Sequence, residues 1–324
     1  MRSFTASPTP SALDRVRDVS GVQMKAALED VGLRGDVIRE VTATWDAFRL
    51  DESWISLLAA VVEMIEHQRG NADAPIPIWS DLNDSGPCGR LFYFYVFALC
   101  ASDTRSFLEH DGVPGDVIDA TLQIFRRHVD IHRRLHESNG VDAGWWTLLV
   151  LRGELLQCGS LQYHRVTLGV GTLSPFPWYD EEAIAALGVG FRVGDPSVGI
   201  HIPDRADLSS ASVDDSLDQA RRVLSDVWPE PDRRLLTCQT WMLDDRLDGL
   251  LAAKSNIVEF QRRFTLLPHW YEDDDDVLQF VFRTVDTSLD SLPQRTSLER
   301  AVVQVLRAGE HWRNRSGWLP FNIS

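Results

Sequence analysis

VGIHIPDRADLSSASVDDSLDQARRVLSDVWPEPDRRLLTCQTWML (residues 198–243) is the stretch that decides the fold. Val198–Pro203 reads as a strand, and Leu235–Leu243 reads as a second. Between them Leu217, Ala220, Leu224 and Val227 recur at helical spacing, so a helix over about 214–228 separates the two strands. Working towards the N-terminus, Leu161–Leu168 is a further strand. A helix over roughly Val141–Gln157 precedes it and stops before Gly159, a plausible C′ glycine. Towards the C-terminus come a helix through Ser255–Phe264, then short strands near Leu266–Trp270 and Val277–Arg283. A last helix opens with a Thr296/Glu299 capping box, presents Leu298, Val302, Val305 and Leu306, and ends at Gly309. Strands alternating with helices indicate an α/β sheet.

From Ser11 to Asn139 the character is different. Val37, Val41, Trp45 and Phe48 share one helical stripe, and Trp54, Leu58, Val61 and Ile65 share another. Pro114 opens a helix that carries Ile118, Leu122, Phe125 and Val129 and runs to about Glu137. Leu91–Cys100 (LFYFYVFALC) is apolar on every side. A membrane span needs roughly 20 such residues, so this run is a buried core helix. The division expected is therefore a polar tail over 1–10, an all-helical N-terminal domain over 11–139 and a mixed α/β sheet domain over 140–324.

A chain of 324 residues has room for about two domains, and 44% hydrophobic with 25% charged residues is ordinary globular composition. The net charge of −16 argues against nucleic acid or an anionic membrane as partner. Lys25 and Lys254 are the only lysines, which leaves few candidates for Schiff-base chemistry. Cys88, Cys100, Cys158 and Cys238 form no CxxC pair and read as reduced, buried thiols of a cytoplasmic protein. The first ten residues lack the apolar core of a signal peptide.

Several phrases resemble those of a bacterial family of N-acyltransferases with a helical N-terminal domain and a GNAT-like C-terminal domain. They are LRGELLQCGSLQYHRV (151–166), GIHIPD (199–204), TCQTWMLDDRL (237–247), SNIVEFQRRF (255–264) and RAGEHWRNRSGWLPF (307–321). The resemblance implies an α/β (α+β) chain in which a helical domain precedes a GNAT-like mixed sheet. It also implies transfer of an acyl group from acyl-CoA, or from an acyl carrier protein, to a small-molecule amine, with no metal. One feature departs from GNAT enzymes in general. The connection 204–216 lacks the glycines that cradle the coenzyme A pyrophosphate, and Asp214, Asp215 and Asp218 stand where the helix is expected to open. Arg205, Arg221 and Arg222 are the candidates to compensate.

Acyl transfer to an amine needs a base, an oxyanion site and a departing thiolate. His201 suits the base by residue type, the alternative being a hydrogen-bonded structural histidine. Glu154 is a second candidate base, unless it forms a salt bridge with Arg152. Cys238 is a candidate nucleophile, in phase with Leu236 and Thr240, or else a small buried cysteine. Arg152, Gln162, Trp241, Asp244, Ser255, Asn256, Gln261 and Trp312 are candidates for lining the substrate site. His128, His132 and His136 are spaced like metal ligands, but no HExxH accompanies them and Arg127, Arg133 and Arg134 crowd them. A non-catalytic binding protein on a degenerate GNAT-like fold is the competing reading, supported by the acidic helix opening.

Overall fold

The computed structural model describes residues 7–77, 82–169, 181–186, 191–228, 235–283 and 288–321. The chain divides into two compact units, Met1–Gln157 and Cys158–Ser324. Most of the expected tail lies outside the described residues. Within the rest of it, Thr9 caps the first helix and its backbone and hydroxyl both donate to the Glu63 carboxylate.

The first unit is helical: α1 (Pro10–Arg17), α2 (Gly21–Asp30), α3 (Asp36–Phe48), α4 (Glu52–Gln68), α5 (Gly86–His110), α6 (Gly115–His136) and α7 (Trp146–Leu151). Helix α5 is the axis of this unit, since every residue from Leu91 to Phe97 is buried. A helix that is apolar all round has to be enclosed by its neighbours. Phe48 meets Tyr95 at 4.4 Å between ring centroids, and Phe97 stacks on Phe125 of α6 at 4.1 Å.

The helix expected over Val141–Gln157 is only α7. Gly153 adopts φ +74, and a side chain there would strike the Phe107 ring, so the chain turns out of the helix at that point. Leu155–Cys158 is strand β1. Gly159, at φ +57, is the first residue of the two-residue turn into β2 (Leu161–Thr167) and not a helix cap.

The remaining elements are α8 (Glu181–Ala186), β3 (Pro196–His201), α9 (Ser210–Val227), β4 (Leu235–Thr240), α10 (Leu247–Leu250), α11 (Asn256–Gln261), β5 (Thr265–Glu272), α12 (Asp274–Val277), α13 (Ser297–Arg307) and β6 (Arg313–Pro320). The strands form one six-stranded mixed sheet in the order β1-β2-β3-β4-β6-β5. The expected capping box of the last helix is present: the Thr296 hydroxyl accepts from Glu299 N, and the Glu299 carboxylate accepts from Thr296 N.

Two expectations fail here. Val277–Arg283 is not a strand: Asp273 caps α12 by accepting from Asp276 N, and the helical path continues as a π-turn through Leu278–Phe282. Arg313–Pro320, read as no element, is a strand between β4 and β5.

Candidate active site

Register assigns the side chains of the sheet to two faces, because residues directly opposite each other project to the same side. Gln162 pairs with His201, His164 with Gly199, Gly199 with Thr237, and Gln239 with Ser316. One face therefore carries Gln162, His164, Ser197, His201, Thr237, Gln239, Ser316 and Asn314, a polar band across the central strands. The other face carries Tyr163, Val198, Ile200, Leu236 and Cys238. That side packs on helices: the Tyr163 hydroxyl lies 3.0 Å from Ser216 Oγ of α9, and a side chain at Gly317, opposite Cys238, would meet Phe264 and Leu243.

Polar residues on a central sheet face are expensive without a ligand or partners to satisfy them. Their position explains the choice. The parallel ladder joining β3 to β4 holds only Val198–Leu236 and Gly199–Thr237, whereas the antiparallel ladder between β2 and β3 continues to Gln162–His201 and that between β4 and β6 continues to Thr240–Arg315. Beyond Gly199 and Thr237 the two strands split. His201 and Gln239, the next residues on the polar face, stand on either side of the opening. The split lies at the C-terminal ends of two parallel strands, where open α/β sheets receive ligands.

His201 is half-buried, and its Nε2 lies 3.3 Å from Nδ1 of His164 on the adjacent strand. Desolvation pushes the His201 imidazole down to about 4, so the ring is neutral at neutral pH. His164 is 2% exposed and was not singled out by sequence reasoning. The signal was available only through register, since His164, opposite Gly199, is the diagonal neighbour of His201 across the β2–β3 ladder.

Several sequence candidates are placed elsewhere. Cys238 points to the helical side, opposite His201, so the two do not share an opening, and burial pushes its thiol up to about 12. That is the setting of a packed cysteine held as the thiol. Glu154 is fully buried in the first unit and takes a two-point ion pair from Arg152, Nε to Oε1 at 2.7 Å and Nη2 to Oε2 at 2.6 Å. Arg152 also donates to Gln68 Oε1 and to the carbonyl of Ala74. This pair holds the 71–75 loop in place and leaves Glu154 engaged.

Trp241 and Trp312 meet edge to face at 6.5 Å within an apolar cluster with Leu247, Val258 and Val302, so Trp312 is a core residue. Asp244 is buried, accepts from the Arg246 guanidinium and from Arg313 N, and organises a turn that Gln261 secures through the Asp244 carbonyl. Ser255 caps α11 by accepting from Val258 N, and Asn256 is exposed beside it. Of the expected lining residues, Gln162 shares the polar face with His201.

The helix opening also differs from expectation. Helix α9 begins at Ser210, four residues before Asp214, and its first turn carries no acidic residue. Asp214 is tied to Arg263, and the Asp207 carboxylate accepts from Ser209 N. Arg205 is exposed in the turn after β3, while Arg221, paired with Asp218, and Arg222 stand three turns along α9. At 1.5 Å rise per residue they lie roughly 17 Å along the axis from the start of α9.

The three histidines of α6 do not converge. His132 is buried against Gly140 with Nε2 3.4 Å from Ser138 Oγ, and its ring lies 4.5 Å from that of the exposed His136. Among the described residues no group of three or more His, Cys, Asp or Glu is arranged to hold a metal ion, and no helix is long and apolar enough to cross a membrane.

A split mixed sheet with a helix after its central parallel strand is the frame of a GNAT-like fold. The comparisons agree. Residues 155–319 match the GNAT-like C-terminal domain, and residues 22–153 match the N-acyltransferase N-terminal domain. The chain belongs to this family of two-domain, GNAT-like N-acyltransferases. It is similar to a solved acyltransferase in complex with decanoyl-CoA and teicoplanin, at 29% identity and a TM-score of 0.75 over 96% of this chain and 94% of that one. An acyltransferase mutant in complex with octanoyl-CoA is 28% identical with a TM-score of 0.77, again over 96% and 94% of the two chains. No curated protein matches the chain.

Proposed function

We propose that this protein moves an acyl group from the thioester of acyl-CoA to a primary amine on a small-molecule acceptor, with His201 as general base. The observation that carries the reading is the split between β3 and β4 with the neutral imidazole of His201 at its edge. A thioester lying in that opening would sit between the diverging strands, where backbone N–H groups are the natural donors to the developing oxyanion. His164 holds the His201 ring through its Nδ1 and so orients the base. The first turn of α9 carries no acidic residue of its own, but Glu259 accepts from the Ser210 hydroxyl and Asp207 from Ser209 N, so the donor's phosphates need a further cation such as the nearby Arg263, which donates to the Ser210 carbonyl. Similar solved acyltransferases hold octanoyl-CoA or decanoyl-CoA, and one holds teicoplanin, which makes medium-chain acyl-CoA and an amine-bearing glycopeptide the first donor and acceptor to try.

The test follows thiol release from octanoyl-CoA and decanoyl-CoA across an amine panel, with a carrier-protein-bound donor as a separate arm. Turnover is expected with the CoA donors, and His201→Ala should lower kcat/KM by about 100-fold or more. Absence of turnover together with absence of thermal stabilisation by octanoyl-CoA overturns the reading.

A further inference from the structure

Two amide oxygens on the polar face, Gln239 Oε1 and Asn314 Oδ1, are shielded from solvent and have no hydrogen-bond partner. Native proteins rarely tolerate this, because an unmet buried acceptor costs about 1–3 kcal/mol. The two belong to one place. Gln239 stands opposite Ser316 in the β4–β6 ladder, and Asn314 is the next residue along β6 on that same face.

The orientation of the Asn314 amide is set by charge. Its Nδ2 donates to Asp276 Oδ2 at 2.8 Å and to Asp273 Oδ2 at 3.4 Å. A flipped amide would aim its oxygen at both carboxylates, so Oδ1 must project the other way. Asn314 is 3% exposed, and burial together with Asp273 holds the Asp276 carboxyl up at about 6.

The cations of this strand turn away from the site. Arg313 stacks over the Trp270 ring at 4.2 Å, while Arg315 donates to the Leu267 carbonyl and pairs with Asp245 at 3.0 Å. Both lie on the helical face. The polar face thus offers two unmet acceptors backed by carboxylates, with no arginine of β6 on that side. The complementary ligand is a cation rich in N–H donors.

We propose that Gln239 and Asn314 form the recognition subsite for the acceptor's protonated amine, with Asp273 and Asp276 supplying the attractive field behind it. The inference rests on the acyl-transfer reading and names how that site selects its acceptor. The ammonium donates to the two amide oxygens, and a third N–H turns across the split towards His201. His201 takes that proton, the freed nitrogen lone pair forms the C–N bond at the thioester carbonyl, and the C–S bond breaks. The nitrogen of the tetrahedral adduct releases its remaining extra proton to solvent, and the leaving thiolate takes the proton held by His201 to become the thiol.

The test uses the full chain and two probes of similar bulk, benzylamine and benzyltrimethylammonium, titrated by calorimetry in the presence of free coenzyme A, which has no acyl group to transfer. Benzylamine is expected to bind at least tenfold more tightly, because the quaternary cation has no N–H to donate. Gln239→Leu and Asn314→Leu should each weaken benzylamine binding about tenfold while leaving octanoyl-CoA affinity unchanged. Gln239→Leu keeps the test independent of the acidic turn that Asn314 also holds, and Gln239→Glu should restore benzylamine affinity. Equal binding of the two probes, or unaltered benzylamine affinity in Gln239→Leu, overturns the subsite. Failure of octanoyl-CoA to bind the unmodified chain is a different result and counts against the acyl-transfer reading itself.

Discussion

Replacing Glu154 by Gln should strip the negative charge from a guanidinium that has nowhere else to find one. Arg152 and Glu154 have side-chain exposures of 1% and 0%, and their two contacts are 2.6 and 2.7 Å long. Removing one partner of a buried pair leaves the other charge uncompensated, a loss of about 3–5 kcal/mol. Gln68 and the Ala74 carbonyl still accept from Arg152, which points to the lower part of that range. With a urea dependence of about 2 kcal/mol per molar, a loss of 3–4 kcal/mol moves the unfolding midpoint down by about 1.5–2 M. The assay is urea unfolding followed by far-ultraviolet circular dichroism, which reports the helices of residues 10–151. Arg152→Met alone and the double replacement complete a cycle whose coupling should fall between about 0.5 and 3 kcal/mol. Folded Glu154→Gln protein should keep its kcat within a few-fold. A midpoint shift below about 0.5 M combined with a 100-fold loss of kcat would refute the structural role and return Glu154 to the chemistry.

Stability should decline as the medium is acidified from pH 6.5 towards pH 4. His128, His132 and His201 have folded values near 4 against an unfolded value of 6.5, so the unfolded chain binds more protons in that window. Each contributes a slope of up to about 1.4 kcal/mol per pH unit. Asp276, raised to about 6, opposes this with a single contribution that favours the fold at low pH and is lost as pH rises. A urea midpoint that stays flat from pH 6.5 to 4.5 contradicts the burial of these imidazoles. Cys238→Ala should retain activity within about threefold, and mass spectrometry after iodoacetamide treatment of native protein at pH 7.5 should find Cys238 unlabelled. Labelling there, or loss of turnover in the variant, would show that the thiol is accessible. Thr296→Ala should cost about 1 kcal/mol by removing one half of the capping box, read as a lower urea midpoint; an unchanged midpoint would mean that the α13 terminus is held by other contacts. Gly159→Ala should destabilise more than a surface substitution, since φ is +57 and the new methyl carbon would lie 3.0 Å from Ser216 Cα. A gain in stability would exclude that backbone geometry.

The parts of the fold that sequence predicted best are those where local chemistry has one outcome. Thr296 and Glu299 can satisfy each other only at a helix start, and Leu91–Phe97 can be covered only inside a bundle. The reading failed where tertiary context decides. Val277–Phe282 is too short for its apolar run to distinguish strand from helix, and the outcome rests on Asp273 as cap. Arg313–Pro320 looked irregular because both faces of β6 carry polar residues: arginines bound to Asp245 on one side, and Asn314 and Ser316 of the polar band on the other. In α9, the serines at 209, 210 and 212 open the helix four residues ahead of the first aspartate, which changes the electrostatic character of its start. Of the site, His201 was legible by residue type, whereas His164, Gln239 and Asn314 emerge only once register aligns four strands.

The short β3–β4 ladder has a mechanical consequence. The leaves β1-β2-β3 and β4-β6-β5 are stitched by two residue pairs, so the sheet behaves as a book whose spine is bound at one end only. An extended thioester arm entering at the free end would lie between the diverging strands as a seventh, borrowed strand. Substrate would then be a component of the sheet's own cohesion, and amide hydrogen exchange along that seam should slow when it is loaded.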